Sequence, residues 1–304
     1  MKKVILTGAS GFVGKHTLNT LIQKDFEVHA ISSQVQRKTN ASIKWYQVNL
    51  LDLNQIKEFS SKIQATYLLH FAWYAVPGRY WQAEENFLWV QSSLELLRQF
   101  YEQGGQRVVI AGTCAEYDWQ YGYCSELITP RRPNTAYGIC KQALQEMVKS
   151  YSDIKNLSSA WGSIFFPYGT YEHPNRLVSS VIVSLLKGKV AKCSHGNQIR
   201  DFIYVQDVAD AFVALLESDV TGVVNIASGQ PIAIKDVVYK IADKIGRGDL
   251  IELGAIASNP REPPLLVADI SRLSKEVGWL PRFDWNRGLN QTIAWWKKYQ
   301  SGMQ

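Results

Sequence analysis

The sequence predicts a doubly wound parallel α/β fold with a smaller α/β lobe built from late segments, and three observations predict it. The chain opens with an apolar run, Lys3-Val4-Ile5-Leu6-Thr7, that leads straight into a glycine-spaced turn and an amphipathic helical pattern. Further short apolar runs alternate with helical stretches, as a parallel sheet covered on both faces requires. After about residue 165 that alternation loosens, and the remaining elements are separated by Gly- and Pro-containing loops.

Taken in order, the first helix is expected over 11–24, with Phe12, Val13, Leu18, Leu21 and Ile22 on its buried face. Segments 27–32, 66–72 and 107–112 read as the next strands. A long helix over 84–103 fills the interval before the last of them and is stopped by Gly104-Gly105. A helix over 134–151 carries Tyr137 and Lys141. Beyond a loop at 166–169, helices are expected over 177–187 and 206–217, a strand over 223–226, and helices near 235–245 and 286–300. The division this implies is a main domain over 1–165, to which 203–230 returns, and a smaller lobe from 166–202 and 231–304.

Bulk composition excludes several classes. With 304 residues, 46% hydrophobic and 20% charged, the chain reads as a soluble globular protein with no apolar run of membrane-span length and no secretory leader. Its net charge of +6 is spread without a basic stripe, which argues against nucleic acid and suits small anionic ligands. Cys114, Cys124, Cys140 and Cys193 show neither CxxC pairing nor zinc spacing, so free thiols in the cytoplasm and no metal are expected. Among ten tryptophans, Trp73, Trp81, Trp89, Trp119 and Trp161 crowd the middle of the chain, where they serve a core or floor a ligand site.

Four features carry chemistry. Gly8, Gly11 and Gly14 form GxxGxxG between a strand and a helix, a Rossmann-like turn that lets backbone approach a pyrophosphate at a helix N-terminus. The second strand ends in Ser32 and Ser33 without a carboxylate and is followed by Arg37-Lys38. That pattern favours NADP over NAD, unless the two cations merely decorate a solvent turn. Thr113 stands at the carboxyl end of a strand, the end that faces the ligand crevice of an open parallel sheet. Tyr137 and Lys141, four residues apart, share one helix face, so the ammonium can draw the phenol toward acid–base work on a carbonyl or alcohol.

With these in order, the chain resembles, nearly end to end, the extended short-chain dehydrogenase/reductases of the nucleotide-sugar epimerase/dehydratase family. His70-Phe71-Ala72 is similar to the family's HxA segment, Asn86 to its structural asparagine, and Asp52-Leu53 to its adenine-contacting pair. Arg200 to Ala209 (RDFIYVQDVA), Arg261 ahead of Ala268-Asp269, and Gly278-Trp279-Leu280-Pro281 continue the likeness. The resemblance implies Tyr137 as general acid or base, Lys141 on the nicotinamide ribose, and Thr113 on the sugar oxygen. It implies a dinucleotide held by Gly8, Ser10, Gly11, Phe12, Val13, Gly14, Ser32, Ser33, Arg37, Asp52, Leu53, Phe71 and Ala72. It places Arg200 and Arg261 on a nucleotide-sugar diphosphate, with Arg176 as a third substrate contact, and implies a homodimer through helices 84–103 and 134–151.

Departures narrow the reaction. Where the family's 4,6-dehydratases carry an acidic pair after the threonine, this chain has Cys114 and Ala115. Glu116 comes one place late, which on a continuing strand turns it to the other face. The family's double epimerases carry a cysteine where Ala115 stands. The RxxNxYGP loop survives only as Ser163 to Gly169, without its arginine and asparagine, and His173 follows as a loop histidine. The expectation is an NADP-dependent reductase of a 4-keto-6-deoxy sugar nucleotide, most like that branch of the family. A 4-epimerase with retained NAD is the alternative, and a non-catalytic dinucleotide sensor comes third.

Overall fold

The computed structural model describes residues 2–36, 42–258 and 262–302. Its elements run β1 (Lys2–Thr7), α1 (Phe12–Gln23), β2 (Phe26–Ser32), β3 (Ile43–Gln47), α2 (Leu53–Ser60), β4 (Tyr67–His70), α3 (Glu85–Glu102), β5 (Arg107–Thr113), β6 (Tyr123–Cys124), α4 (Ala136–Lys155) and β7 (Ser158–Ile164). They continue with β8 (Phe166–Tyr168), α5 (Leu177–Leu186), β9 (Ala191–Lys192), β10 (Ile199–Tyr204), α6 (Val205–Glu217), β11 (Gly222–Ile226), β12 (Pro231–Ala233), α7 (Ile234–Ile245), β13 (Ile251–Glu252), β14 (Leu265–Ala268) and α8 (Trp285–Ser301).

Seven strands form one parallel sheet in the order β11-β7-β5-β4-β1-β2-β3. The chain direction across the sheet reverses between β1 and β4, so the crevice of a doubly wound sheet opens at their carboxyl ends. Leu18 and Leu21 of α1 pack with Val208 and Phe212 of α6 on one face. Ile56 of α2, Leu96 and Phe100 of α3, and Leu144 and Val148 of α4 cover the other. A second sheet, β12-β10-β14-β6 with β8 beside β10, joins late strands to β6 from the middle of the chain, and a β9–β13 pair lies among the late segments. There α5, α7 and α8 enclose Val178, Ile182, Val237, Ile241, Leu289 and Trp296.

Two strands of the main sheet, β3 and β7, are not among those the apolar runs predict. β3 is an edge strand whose residues are half-buried or exposed, so it lacks an apolar run. β7 reads Ser-Ser-Ala-Trp-Gly-Ser-Ile because its neighbours leave no room: a Cβ on Gly162 would lie 2.5 Å from the Phe212 ring. Helix α4 also runs further than expected, to Lys155, and ends on Asn156 in the left-handed conformation (φ 53°).

Two buried carboxylates tie the late segments to the main sheet. Asp201 accepts from the Ser228 and Gly229 amides (2.8 and 3.0 Å), and Asp207 from those of Arg282 and Phe283 (both 3.0 Å). Buried charge is tolerable here because each oxygen has a donor. Among the described residues no helix is long and apolar enough to cross a membrane, and no cluster of metal-ligating side chains occurs.

Candidate active site

At the switch point the glycine turn folds back on itself. Gly8 adopts φ +64°, and a Cβ there would meet the Ala72 amide nitrogen at 2.9 Å. A Cβ on Gly14 would fall 2.1 Å from the Gly8 carbonyl oxygen, so only glycine lets α1 start this close to the turn. Thr7 Oγ1 receives the Phe71 and Ala72 amides (both 3.1 Å) and bonds His70 Nδ1 at 2.7 Å. With two N–H groups donating to it, the hydroxyl's own proton goes to Nδ1, and His70 Nε2–H donates to Ser93 Oγ (2.9 Å). Burial drives the His70 pKa down to about 3, so the ring is neutral and structural.

Helix α1 begins behind Gly11 with no side-chain cap and no acidic residue in its first turn. Its free amides and positive dipole end face the cavity beside Phe12, Val13, Phe71 and Ala72, which fits a pyrophosphate. The adenosine end is less open. Ser10 Oγ and Ser32 Oγ lie 3.2 Å apart, Ser32 also accepts from the Gln34 amide, and Ser33 is exposed. Asp52 caps α2 by accepting from the Asn54 and Gln55 amides, with Leu53 the first helical residue. Arg37 and Arg261 lie outside the described residues.

A cavity of about 500 Å³ runs from this turn to the late lobe. Helix α4 reaches it because Thr135 caps its start, accepting from Gly138 N–H at 3.1 Å, and because Gly138 sits tight on the turn after β5. A Cβ on Gly138 would lie 2.5 Å from the Ala115 carbonyl oxygen. That close approach sets Tyr137 beside Thr113, whose hydroxyl eases the phenol's pKa downward. Thr113 Oγ1 accepts from Ala115 N–H (3.2 Å), so its own proton and the phenol O–H are both left to donate into the cavity. Burial, and next the neighbouring Tyr80, push the Tyr137 phenol well above its ordinary value.

Lys141 is not turned toward Tyr137. Its Nζ donates to the Ala111 carbonyl (2.8 Å) and rests 3.8 Å from the centroid of the Trp73 ring. Burial lowers its pKa, and the charge of Glu116 partly restores it. The draw of the ammonium on the phenol that the four-residue spacing predicts is therefore absent from this arrangement.

Glu116 also differs from expectation. β5 ends at Thr113, and Cys114–Glu116 form a helical turn closed by a capping box, so strand alternation does not apply. The Glu116 carboxylate, fully buried, accepts from Thr113 N–H (2.8 Å), Trp161 Nε1–H (3.0 Å) and Arg131 (2.8 Å). Burial pushes its pKa up while these donors pull it back. It braces Thr113 from behind. Cys114 lines the cavity, but burial holds its thiol far above the usual range and protonated.

The opposite wall is aromatic. Tyr80 and Trp81 stand edge-on to Tyr137 at 4.8 and 5.8 Å, and Phe166 and Phe202 continue the lining. Phe166 stands where the resembled family has its loop asparagine. Arg176, at the N-cap of α5, lines the same cavity near Tyr80, whose pKa burial pushes up to about 12 while the Arg176 charge draws it back. Glu172 and His173 also line it, with Glu172 accepting from Ser179 Oγ at 2.6 Å and pushed up to about 7 by burial. Arg200 is buried behind this wall, paired with Glu262 (2.8 Å) and bonded to the Ile199 carbonyl, and does not line the cavity.

The structure thus brings together Gly8, Gly11, Phe12, Val13, Gly14, Phe71, Ala72, Thr113, Tyr137, Lys141 and Arg176 around one cavity. Ser10, Ser32, Ser33, Asp52, Leu53 and Arg200 stand outside its lining. Reading by motif passed over Tyr80, Phe202 and Glu172. The density of aromatic residues between Phe71 and Trp89 was the available signal for the first.

A family model described as the NAD dependent epimerase/dehydratase family matches residues 4–227. CDP-abequose synthase from Salmonella typhimurium is 26% identical over 306 residues, covering 95% of this chain and 97% of that protein. Among solved structures, a UDP-N-acetylglucosamine 4-epimerase from Methanobrevibacter ruminantium in complex with UDP-N-acetylmuramic acid superposes with a TM-score of 0.87 at 25% identity, covering 98% of this chain and 99% of that one. A Thermus thermophilus UDP-glucose 4-epimerase in complex with NAD does so with a TM-score of 0.84 at 22% identity, covering 97% and 99%, and shares the fold.

Proposed function

Since the chain belongs to the NAD dependent epimerase/dehydratase family, we propose that it reduces a keto group, at C4, of a nucleotide-linked 4-keto-6-deoxy sugar with NADPH. One observation carries this reading: a protonated Tyr137 beside Thr113 faces a cavity in which no carboxylate directly follows the threonine. When bound, the reduced nicotinamide supplies the hydride. Thr113 and Tyr137 then hold the sugar oxygen between two hydroxyls, and Tyr137 O–H gives its proton to the forming alkoxide, a contribution of about 10²–10⁴ in rate. Burial keeps the phenol protonated, so its proton is in place when the alkoxide forms. Lys141 would meet the nicotinamide ribose, and Arg176 the sugar nucleotide. The walls Trp81, Phe166 and Phe202 favour an apolar sugar edge such as a 6-deoxy carbon.

The absence of a carboxylate at the described end of β2, with the Ser10–Ser32 pair in its place, supports NADP. We assign the dinucleotide-binding domain to 1–165 with 203–230, whose α6 and β11 pack on the main sheet, and the substrate lobe to 166–202 and 231–304. Exposed Leu88 on α3 and Met147 on α4 support a homodimer through these helices, whereas Leu97 is buried against the sheet. Four buried free cysteines suit a cytoplasmic protein.

The likeness to a 4-epimerase at 25% identity favours a second reading, oxidation and re-reduction at one carbon with retained NAD. Absorbance at 340 nm with NADPH and with NADH separates the two, using UDP-, dTDP-, GDP- and CDP-linked 4-keto-6-deoxy sugars. Consumption of NADPH supports the reductase. Bound NAD in the purified protein, with no NADPH consumed, supports the epimerase.

A further inference from the structure

Lys141 has an unusual environment for a cation. It is 3% exposed, makes one hydrogen bond, to the Ala111 carbonyl, and otherwise faces aromatic rings: Trp73 at 3.8 Å and Trp161 at 5.8 Å. Glu116 from the turn after β5 and His70 from β4 lie within electrostatic reach of it, and Cys114 and Tyr137 line the same cavity. None of them is its ion-pair partner. The Glu116 oxygens are taken by Thr113, Trp161 and Arg131, His70 is neutral, and Cys114 and Tyr137 stay protonated.

The Trp73 ring is fixed independently of the lysine. Its Nε1–H donates to Asn86 Oδ1 at 2.8 Å, and Trp89 stacks on it at 6.1 Å. Asn86 is fully buried, and its amide N–H groups donate to the Tyr80 and Ala83 carbonyls, both at 2.8 Å. One asparagine therefore fixes both the ring under Lys141 and the turn that sets Tyr80 and Trp81 against Tyr137.

We propose that Trp73 is a positioning residue: its indole face holds the Lys141 ammonium in the buried site, and its bond to Asn86 locks the two halves of the Tyr137/Lys141 pair in one arrangement. The proposal rests on the reading of that pair as the catalytic one. A cation over a desolvated indole is stabilised enough to shift a lysine by about one to two pH units. Loss of the face destabilises the charged form, so Lys141 loses its proton at lower pH.

The test is the titration of Lys141 in the full-length cofactor-free protein, followed by NMR of ¹³C-labelled lysine and assigned by loss of the signal in Lys141→Met. Trp73→Leu lowers the Lys141 midpoint by about one to two units, and Trp73→Phe, which keeps a ring but no indole N–H, by less. Trp89→Leu, which removes only the outer ring of the stack, leaves the midpoint in place. In turnover the high-pH limb of kcat/KM moves down with the midpoint. An unchanged midpoint in folded Trp73→Leu overturns the proposal; where that variant does not fold, an unchanged midpoint in Trp73→Phe does. If the catalytic reading alone is wrong, the midpoint still shifts while Tyr137→Phe keeps full turnover.

Discussion

Replacing Glu116 with glutamine probes the bracing of Thr113. The carboxylate accepts from three donors, so one oxygen and one amide cannot satisfy the Thr113 amide, the Trp161 indole and Arg131 together. Whichever way the amide turns, its N–H₂ meets another donor. Breaking a buried pair of this kind costs about 3 kcal/mol or somewhat more. For a chain of this size that is a thermal midpoint lower by roughly 5–10 °C. Thr113 also loses the acceptor that fixes its amide, so its hydroxyl drifts from Tyr137 and kcat falls about tenfold or more, with KM little changed. Differential scanning fluorimetry and the 340 nm assay read both. A variant as stable as the parent would refute the bracing argument. A variant of parental stability with activity abolished would make Glu116 a reacting group instead.

Three further outcomes follow from the same geometry. Gly14→Ala places a methyl 2.1 Å from the Gly8 carbonyl, so it forces the turn open, and dinucleotide binding by fluorescence titration weakens at least tenfold. His70, with a folded pKa of about 3 against an ordinary 6.5, binds its proton more readily in the unfolded chain, so its contribution is complete above pH 6.5 and lost as pH falls toward 3. Urea midpoints at pH 7 and pH 5 should show about 2 kcal/mol of that loss in the parent and its absence in His70→Gln. Arg176→Leu raises KM for the sugar nucleotide about tenfold or more and leaves dinucleotide affinity in place, as separate titrations of the two ligands would show.

The parallel sheet and its switch point were legible because continuous apolar strands and the spacing of Gly8, Gly11 and Gly14 are local signals. β3 and β7 were not, since an edge strand needs no apolar run and β7 is kept small by rings packed on it from elsewhere in the chain. In the site, the one-turn spacing of Tyr137 and Lys141 and the placement of Thr113 at a strand end were readable. The orientation of Lys141 was not, because Trp73, 68 positions upstream, captures it through contacts that spacing along α4 does not encode. Glu116 departs from strand alternation for a simpler reason: β5 ends at Thr113, where a capping box turns the chain into a helical turn.

The most direct test follows the hydride. Supplied with NADPH deuterated at the transferable C4 position and the preferred 4-keto-6-deoxy sugar nucleotide, the parent protein is predicted to place deuterium on C4 of the sugar while forming an equal amount of NADP. Tyr137→Phe should slow this by about 10²-fold or more while still binding the dinucleotide. Epimerised sugar without deuterium, or unchanged turnover in Tyr137→Phe, would contradict the account.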